Sequence, residues 1–371
     1  MTRVLQVANF VTPTSGGMRT CLHHLGEGYA AQGHDVVQVT PGVTDSVEQM
    51  PWGTRVLVAS TPLPGTGYRV VTNVRRLERT LAELEPDRLE VHDRTTLRGL
   101  GAWAARHGVP SLVVSHERLD VWLKQWLPRR APLRGAADRS NAALASSFDQ
   151  VVCTTAWAAE EFTRLGARNL WQVPLGVDLD AFPPRLHRSQ TDELLLVMAS
   201  RLSKEKRPEL AVGAVRELVR RGHRVRLLAA GDGPMRPALE KQSRDLPITW
   251  LGFVQDRAEL AALLAGADIA IAPGPVETFG LAALEALACG TPVVVNRHSA
   301  LPAVVGDAGR KAASSGWVFA DCVEELLEVG ELDRRAAARA RAETFTWDAT
   351  VAGFLDVHRL PSAQPLQRVA A

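Results

Sequence analysis

The sequence predicts an α/β protein of two doubly wound domains, each a mainly parallel sheet with crossover helices. Three observations lead there. Short Val/Leu/Ile runs alternate with helix-patterned segments along the whole chain, as they must where parallel strands need a crossover between them. The chain has 371 residues, long for one core when domains run to roughly 100 to 200 residues. The stretch 178–190 is polar, carries Pro183 and Pro184 and lies between two strand signals, which marks an inter-domain break.

In chain order, strands are expected at Val4 to Ala8, Val36 to Thr40, Val56 to Ala59, Leu89 to His92, Leu112 to Ser115, Val151 to Thr154 and Leu170 to Val173. A second series follows the break, at Leu194 to Ala199, Val225 to Ala230, Ile248 to Leu251, Ile269 to Ala272, Val293 to Asn296 and Trp317 to Phe319. Each is a short apolar run bounded by turn residues or by a helical pattern. The stretch from Phe345 to Leu360 reads as an amphipathic helix, and the tail beyond Pro361 as loose. The expected domains are 1–184 and 185–345, with a helix over 346–360 and a tail over 361–371.

Composition narrows the function classes. A formal charge of +2 gives no reason to expect nucleic-acid binding. Cys21, Cys153, Cys289 and Cys322 are far apart and form no C-x-x-C pair, so neither a disulfide framework nor a zinc knuckle is indicated and a reducing cytosol fits. The first residues read as a strand leading to a turn, too short and interrupted for a signal-peptide core. No run approaches the ~18 apolar residues of a membrane span, so lipid contact would be peripheral.

The most informative segment is 273–292. Glu277 lies in a Gly/Pro-rich loop before Thr278-Phe279-Gly280, and Glu285 falls in a run of helix formers that Gly290 and Pro292 end. One carboxylate therefore precedes a helix start and the other rides its second turn. Free N–H groups at such a start, with the positive end of the helix dipole, favour phosphate. Two carboxylates able to hold hydroxyls around a phosphate site suggest a sugar nucleotide.

The full pattern, P-x3-E-x-FGL-x3-EA-x-A-x-GTPVV, resembles the E-x7-E signature of retaining family 4 glycosyltransferases with the GT-B architecture. That resemblance implies two Rossmann-like domains facing each other across a cleft, with the C-terminal helix crossing back to the first. It also implies roles: Glu277 holds the donor sugar, Glu285 the ribose, and the backbone at Phe279, Gly280 and Leu281 the diphosphate. Arg201 and Lys206 match the family's R-x4-K pair. They follow a strand end and precede a helix with Pro208 in its first turn, where two fixed cations can neutralise a departing diphosphate. Gly16 and Gly17 lie after the first strand, where glycines let backbone N–H groups approach phosphate, and the architecture implies that they contact it.

Gly231-Asp232-Gly233-Pro234 matches the family's G-x-G-P turn, where the glycines serve backbone geometry. Val254 and Asp256, after another strand, lie where the resemblance expects the base. An aspartate there can accept from the N1–H and amine of guanine, although Asp256 with Glu259 also forms a capping box. His116, after a strand of the first domain, matches the family's donor-sugar histidine. Asp178-Leu179-Asp180 satisfies the metal-binding D-x-D pattern, but its place at a linker reads as a turn or cap. No metal is expected.

On the acceptor side, 122–134 holds two tryptophans, four cations and no acid. Trp122, Lys124, Trp126, Arg129 and Arg130 suit peripheral contact with an anionic membrane. Between Arg69 and Arg139 there are 14 basic and 9 acidic residues, a local excess over the chain's +2 that is equally common on a solvated face. SGGMRT and SHERLD look most like the actinobacterial phosphatidylinositol mannosyltransferase-like branch.

The expected function is a retaining, metal-independent transfer of a hexose, with mannose from GDP-mannose foremost, onto a lipid-linked or glycan hydroxyl such as that of a phosphatidylinositol mannoside. The protein would be cytoplasmic, on the inner face of the plasma membrane where it meets lipid. Alternatives are a UDP-sugar transferase with a soluble acceptor, a sugar-nucleotide epimerase of the same fold, and a non-catalytic sugar-nucleotide or lipid binder. A nicotinamide dehydrogenase fits least, because Ser15-Gly16-Gly17 lacks the G-x-G-x-x-G spacing.

Overall fold

The structure is a computed structural model that describes residues 1–12, 16–64, 67–126, 133–185 and 192–361. The chain divides into two compact units, Met1–Gly176 with Trp347–Ala371, and Val177–Thr346.

In the first unit the order is β1 (Arg3–Val7), α1 (Gly17–Ala31), β2 (Asp35–Gly42), β3 (Ser46–Met50), β4 (Gly53–Ala59), β5 (Thr61–Pro62), β6 (Arg69–Val70), α2 (Val74–Glu83), β7 (Arg88–Val91), α3 (Leu100–His107), β8 (Ser111–Ser115), α4 (Leu119–Trp126), α5 (Leu133–Ser147), β9 (Gln150–Cys153), α6 (Ala156–Thr163) and β10 (Leu170–Gln172). Eight strands form one sheet in the order β10-β9-β8-β7-β1-β2-β4-β3. All neighbours are parallel except β3, which runs antiparallel to β4 at the edge. β3 escaped the sequence reading because an exposed polar edge strand carries no apolar run.

The second unit follows as β11 (Leu194–Ala199), α7 (Glu209–Arg220), β12 (Val225–Ala230), α8 (Arg236–Gln242), β13 (Ile248–Gly252), α9 (Arg257–Gly266), β14 (Ile269–Ala272), α10 (Leu281–Ala288), β15 (Val293–Asn296), α11 (Leu301–Val305), β16 (Gly309–Ala312), α12 (Gly316–Leu327) and α13 (Glu331–Glu343). Its six parallel strands are ordered β13-β12-β11-β14-β15-β16. In order of appearance this is 3-2-1-4-5-6, the doubly wound order whose switch point lies between the first and fourth strands.

Two expectations need correction. Trp317 to Phe319 is not a strand but the first turn of α12, with Phe319 buried and Trp317 exposed. Three apolar residues fit either period, and here Gly316 packs so tightly on α7 that a Cβ would lie 2.6 Å from the Gly213 carbonyl carbon. The sixth strand is instead β16, whose sequence Gly-Arg-Lys-Ala has no apolar run. The second unit also begins before the expected boundary at 184/185, because the Val177 N–H already bonds the Phe345 carbonyl at 3.0 Å.

The last helix, α14 (Trp347–Val357), belongs to the first unit and packs on α1. The approach is close: a Cβ on Gly28 would stand 2.2 Å from Val351 Cγ2. Each unit has its own apolar core, around Leu5, Leu89 and Phe162 in the first and Leu196, Leu227 and Phe319 in the second. Among the described residues no helix is long and apolar enough to cross a membrane, and all four cysteines are buried and unbridged.

Candidate functional site

In the second unit the loops after β11 and β14 leave adjacent strands at the switch point, where open α/β sheets bind ligands. The β11 loop carries Arg201 and runs into a short 3-10 turn, Lys204–Lys206. The GDGP turn shapes that loop: the Leu202 N–H bonds the Asp232 carbonyl at 3.0 Å and the Met235 N–H bonds the Leu202 carbonyl at 2.9 Å. A Cβ on Gly231 would fall 1.9 Å from the Ser200 carbonyl oxygen, so the glycine is required by close approach.

The β14 loop carries Glu277. Asn296, at the end of β15, steadies its base by donating to the Pro273 carbonyl at 2.9 Å, and the Ala300 N–H donates to the Glu277 carbonyl at 2.9 Å. Across the switch point Lys206 Nζ and Glu277 Oε1 form an ion pair, both partly exposed. Gly280 then opens α10 in the left-handed region, φ +79, with Leu301 against the position a Cβ would occupy. Phe279 is buried edge-on against Phe345, centroids 5.8 Å apart, so it can serve a ligand through its backbone alone. Leu281 is the first residue of α10, whose opening N–H groups follow Glu277 by a few residues in the chain.

Glu285 rides that helix. Burial pushes its carboxyl up to about 7, against the pull of Arg257, whose Nη2 is 3.9 Å away. Asp256 caps α9, accepting the Ala258 N–H at Oδ1 over 2.7 Å, so the capping role is realised. Val254 is half-buried and Asp256 exposed in the loop that follows β13. Asp178 accepts the amides of Asp180 and Ala181 at 3.2 and 2.9 Å, the turn geometry expected there.

In the first unit His116 follows β8, and the backbone around it is pinned by buried charge. The Arg94 guanidinium donates to Ser115 Oγ at 2.7 Å, to the Glu117 carbonyl at 2.9 Å and to Glu161 at 3.1 Å. Glu161 in turn accepts the Leu119 and Asp120 amides at 2.8 and 2.7 Å. Burial pulls the His116 imidazole down to about 3, with the neighbouring His92 adding to the effect. Gly16 stands immediately before α1 and Gly17 is its first residue.

Among the described residues one trio, Cys21, His92 and His116, brings ligand-type atoms within 4.8 Å of one another. The fit to an ion is poor. His92 Nδ1 and His116 Nε2 are 2.9 Å apart, whereas two nitrogens about 2.0 Å from a tetrahedral ion stand about 3.3 Å apart. Burial also pushes the Cys21 thiol far up, away from the thiolate a metal requires.

Sequence reading missed Glu90, His92, Arg94 and Glu161. The signal available was the Glu-x-His pair at the end of β7, two residues apart and so on one face of a strand neighbouring the one before His116. Of the acceptor-side residues, Lys124 is exposed on α4. Arg129 and Arg130 and the side chains of Trp122 and Trp126 lie outside the described residues.

Comparison with known proteins agrees with this layout. Residues 184–343 match the family described as glycosyl transferases group 1, and residues 16–176 match the glycosyl transferase 4-like domain. The chain is 46% identical over 364 residues to the GDP-mannose-dependent alpha-(1-6)-phosphatidylinositol dimannoside mannosyltransferase of Mycobacterium tuberculosis, covering 95% of each. It is 29% identical over 391 residues to a D-inositol 3-phosphate glycosyltransferase of Xylanimonas cellulosilytica, covering 94% of this chain and 92% of that one. Among solved structures, sucrose-phosphate synthase from Thermosynechococcus elongatus superposes with TM-score 0.81 at 20% identity, over 97% of this chain and 98% of that chain. That last likeness establishes the GT-B fold.

Proposed function

We propose that this chain, which belongs to the group 1 family of glycosyl transferases, is a mannosyltransferase that moves mannose from GDP-mannose, with retention, onto a hydroxyl of a lipid-linked acceptor, a phosphatidylinositol mannoside foremost. The observation that carries the reading is the Lys206–Glu277 pair at the switch point, with Arg201 in the same loop and Glu285 in the second turn of α10. The mycobacterial relative, similar over nearly the whole of both chains, supports the choice of donor and acceptor.

Arg201, Lys206 and the opening amides of α10 at Gly280 and Leu281 hold the diphosphate and stabilise the charge that grows as it leaves. Glu277 accepts from hydroxyls of the transferred sugar and Glu285 from the ribose. Asp256 Oδ2, the oxygen outside the cap, accepts from the guanine edge, with Val254 beside it. In the first unit, His116 serves the donor sugar and the Gly16-Gly17 turn its diphosphate. The acceptor hydroxyl attacks the anomeric carbon on the face the diphosphate leaves, and a phosphate oxygen takes the acceptor proton. Two cationic side chains do what a divalent metal does in other transferases, so the reaction is metal-independent.

The protein works at the inner face of the plasma membrane, with Lys124 and the neighbouring Trp122, Trp126, Arg129 and Arg130 meeting anionic lipid. A thermal-shift panel of GDP, UDP and ADP tests the donor, because a ligand that binds only the folded state raises the midpoint. GDP is expected to stabilise most; preferential stabilisation by UDP overturns the donor assignment.

A further inference from the structure

A cavity of about 770 Å³ opens at the end of the first unit's sheet opposite the rim that carries His116. Parallel strands bring their first residues together, and those opening β7, β8 and β9, namely Arg88, Ser111 and Gln150, line it side by side. The end of α14 lines it too, through Val357, His358 and Arg359.

Its charge is unbalanced. Arg88 is half-buried and donates from Nε to the His358 carbonyl at 3.1 Å and from Nη1 to the Asp87 carbonyl at 2.7 Å. Carbonyls orient a guanidinium without neutralising it, and among the described residues neither Arg88 nor Arg359 is ion-paired. One carboxylate lines the cavity against them, Asp149, whose Oδ2 accepts the Ser111 N–H at 2.8 Å and the Ser111 hydroxyl at 3.2 Å. Gln150 spends Oε1 on the Trp171 indole N–H at 2.6 Å, which leaves its amide N–H groups as donors.

The backbone gives a second, independent sign. α14 ends in a Schellman turn, in which the Leu360 N–H bonds the Leu355 carbonyl at 2.8 Å and the Arg359 N–H bonds the Asp356 carbonyl at 2.9 Å. Arg359 therefore stands at the left-handed position, φ +57, where glycine is the usual residue. A side chain there is strained, and strain held at a cavity wall points to a use for the guanidinium. His358 is fixed from behind, its Nε2 lying 2.9 Å from Glu90 Oε2 in a buried network that also holds Gln6, Tyr29 and His92. The carbonyl that orients Arg88 is thus part of a rigid frame, which lowers the cost of ordering the guanidinium around a ligand.

We propose that this cavity is a second ligand site that takes a small organic phosphate, with the phosphate on Arg88 and Arg359 and the organic part against Leu112 and Val357. Two guanidinium forks match phosphate oxygens in geometry as well as charge. The volume lies in the range of sites that hold whole small molecules, and a bare phosphate would fill little of it. The site is at the opposite end of the sheet from the residues of this unit assigned to the donor, so its ligand is distinct from the transferred sugar's nucleotide. The inference stands on the first unit alone and not on the transferase reading.

The test is calorimetric titration of the full chain with phenyl phosphate, which carries one phosphate on an apolar ring. Saturable binding with a Kd of about 1 mM or tighter is expected, with inorganic phosphate roughly tenfold weaker or more and no heat of binding from phenol. Arg201→Ala lacks a cation assigned to the donor diphosphate and should bind phenyl phosphate like the unsubstituted protein. Arg359→Gly supplies the residue that the turn prefers, so it should melt no lower than the unsubstituted protein and yet bind phenyl phosphate roughly tenfold more weakly or worse. Arg88→Gln should weaken binding by at least as much. Absence of saturable binding, equal binding of phenol, or a folded Arg359→Gly that binds phenyl phosphate normally overturns the proposal. Binding lost in Arg201→Ala places the probe at the donor site and overturns it as well. If a variant fails to fold, the three probes on the unsubstituted protein decide.

Discussion

Lys206 Nζ is ion-paired with Glu277 Oε1, and the pair joins the loops that leave adjacent strands β11 and β14. The two side chains are 28% and 22% exposed, so the pair adds no more than about 1 kcal/mol to folding. In the proposed reading its larger consequence is electrostatic: the diphosphate and the sugar-binding carboxylate would share one cation. Arg201→Ala and Lys206→Ala should each lower kcat roughly 10²- to 10³-fold while changing the melting temperature little, as the loss of an electrostatic donor does elsewhere. Steady-state kinetics with GDP-mannose and a lipid acceptor, beside a melting curve, checks this. Near-normal transfer by both variants would remove the cations from the mechanism.

The pH dependence of donor binding should trace to Glu285. Its folded-state value, about 7, lies above the usual carboxylate range, so below that pH the group is protonated and above it is charged. Ionised, it can accept from both ribose hydroxyls; protonated, it spends one oxygen as a donor. Ribose binding therefore favours the charged form, and GDP affinity should rise with pH through about 7 and then level off. For folding the sign is the reverse: the folded state holds this proton more tightly than the unfolded chain, so the group's contribution to stability falls over the same rise. Calorimetric titration of GDP across pH should give a flatter profile in Glu285→Gln. An unchanged profile would assign the dependence to another group.

How far the sequence revealed this site depended on whether a feature was local. The Glu277–Glu285 spacing, the Arg201–Lys206 pair and the GDGP turn are each contained in one strand-loop-helix step, and their residue types are unusual enough to be read from letters. The Glu90 network is assembled from Gln6 on β1, Tyr29 on α1, His92 beyond β7 and His358 beyond α14. Those residues lie up to 268 positions from Glu90, and each alone looks like an ordinary strand or helix residue. The same logic explains the exchange of Trp317 to Phe319 for β16 as the last strand. An edge strand of mostly polar residues is defined by its partner β15, which no window of the sequence contains.

Gly280 provides a test of whether the start of α10 works as an anion site. It has φ +79, and a Cβ there would approach Leu301 Cδ2 to 2.2 Å. Gly280→Ala should cost about 1–3 kcal/mol of stability, from left-handed strain plus displacement of Leu301. Because the amides of α10 would shift with it, GDP affinity should fall by more than tenfold even at temperatures where the variant is fully folded. Melting curves and calorimetric titration of GDP separate the two effects. A destabilised variant that binds GDP normally would show the amides to be uninvolved.

Metal independence is the remaining prediction, and the described residues offer two places to look for its failure. Asp178 of the D-x-D sequence spends Oδ1 on the amides of Asp180 and Ala181 in a local turn. In the Cys21–His92–His116 trio the two nitrogens sit at a hydrogen-bonding separation of 2.9 Å, shorter than the roughly 3.3 Å of two nitrogens on a tetrahedral ion. Transfer should therefore proceed at full rate after exhaustive EDTA treatment, with Arg201 and Lys206 supplying the positive charge. Loss of activity restored by magnesium would direct attention to Asp178 and Asp180; loss restored only by zinc would direct it to the trio and would also break the His92–His116 hydrogen bond. Repeating the assay with His92→Asn and Asp178→Asn distinguishes the two, since only the variant that removes a true ligand would abolish the metal response.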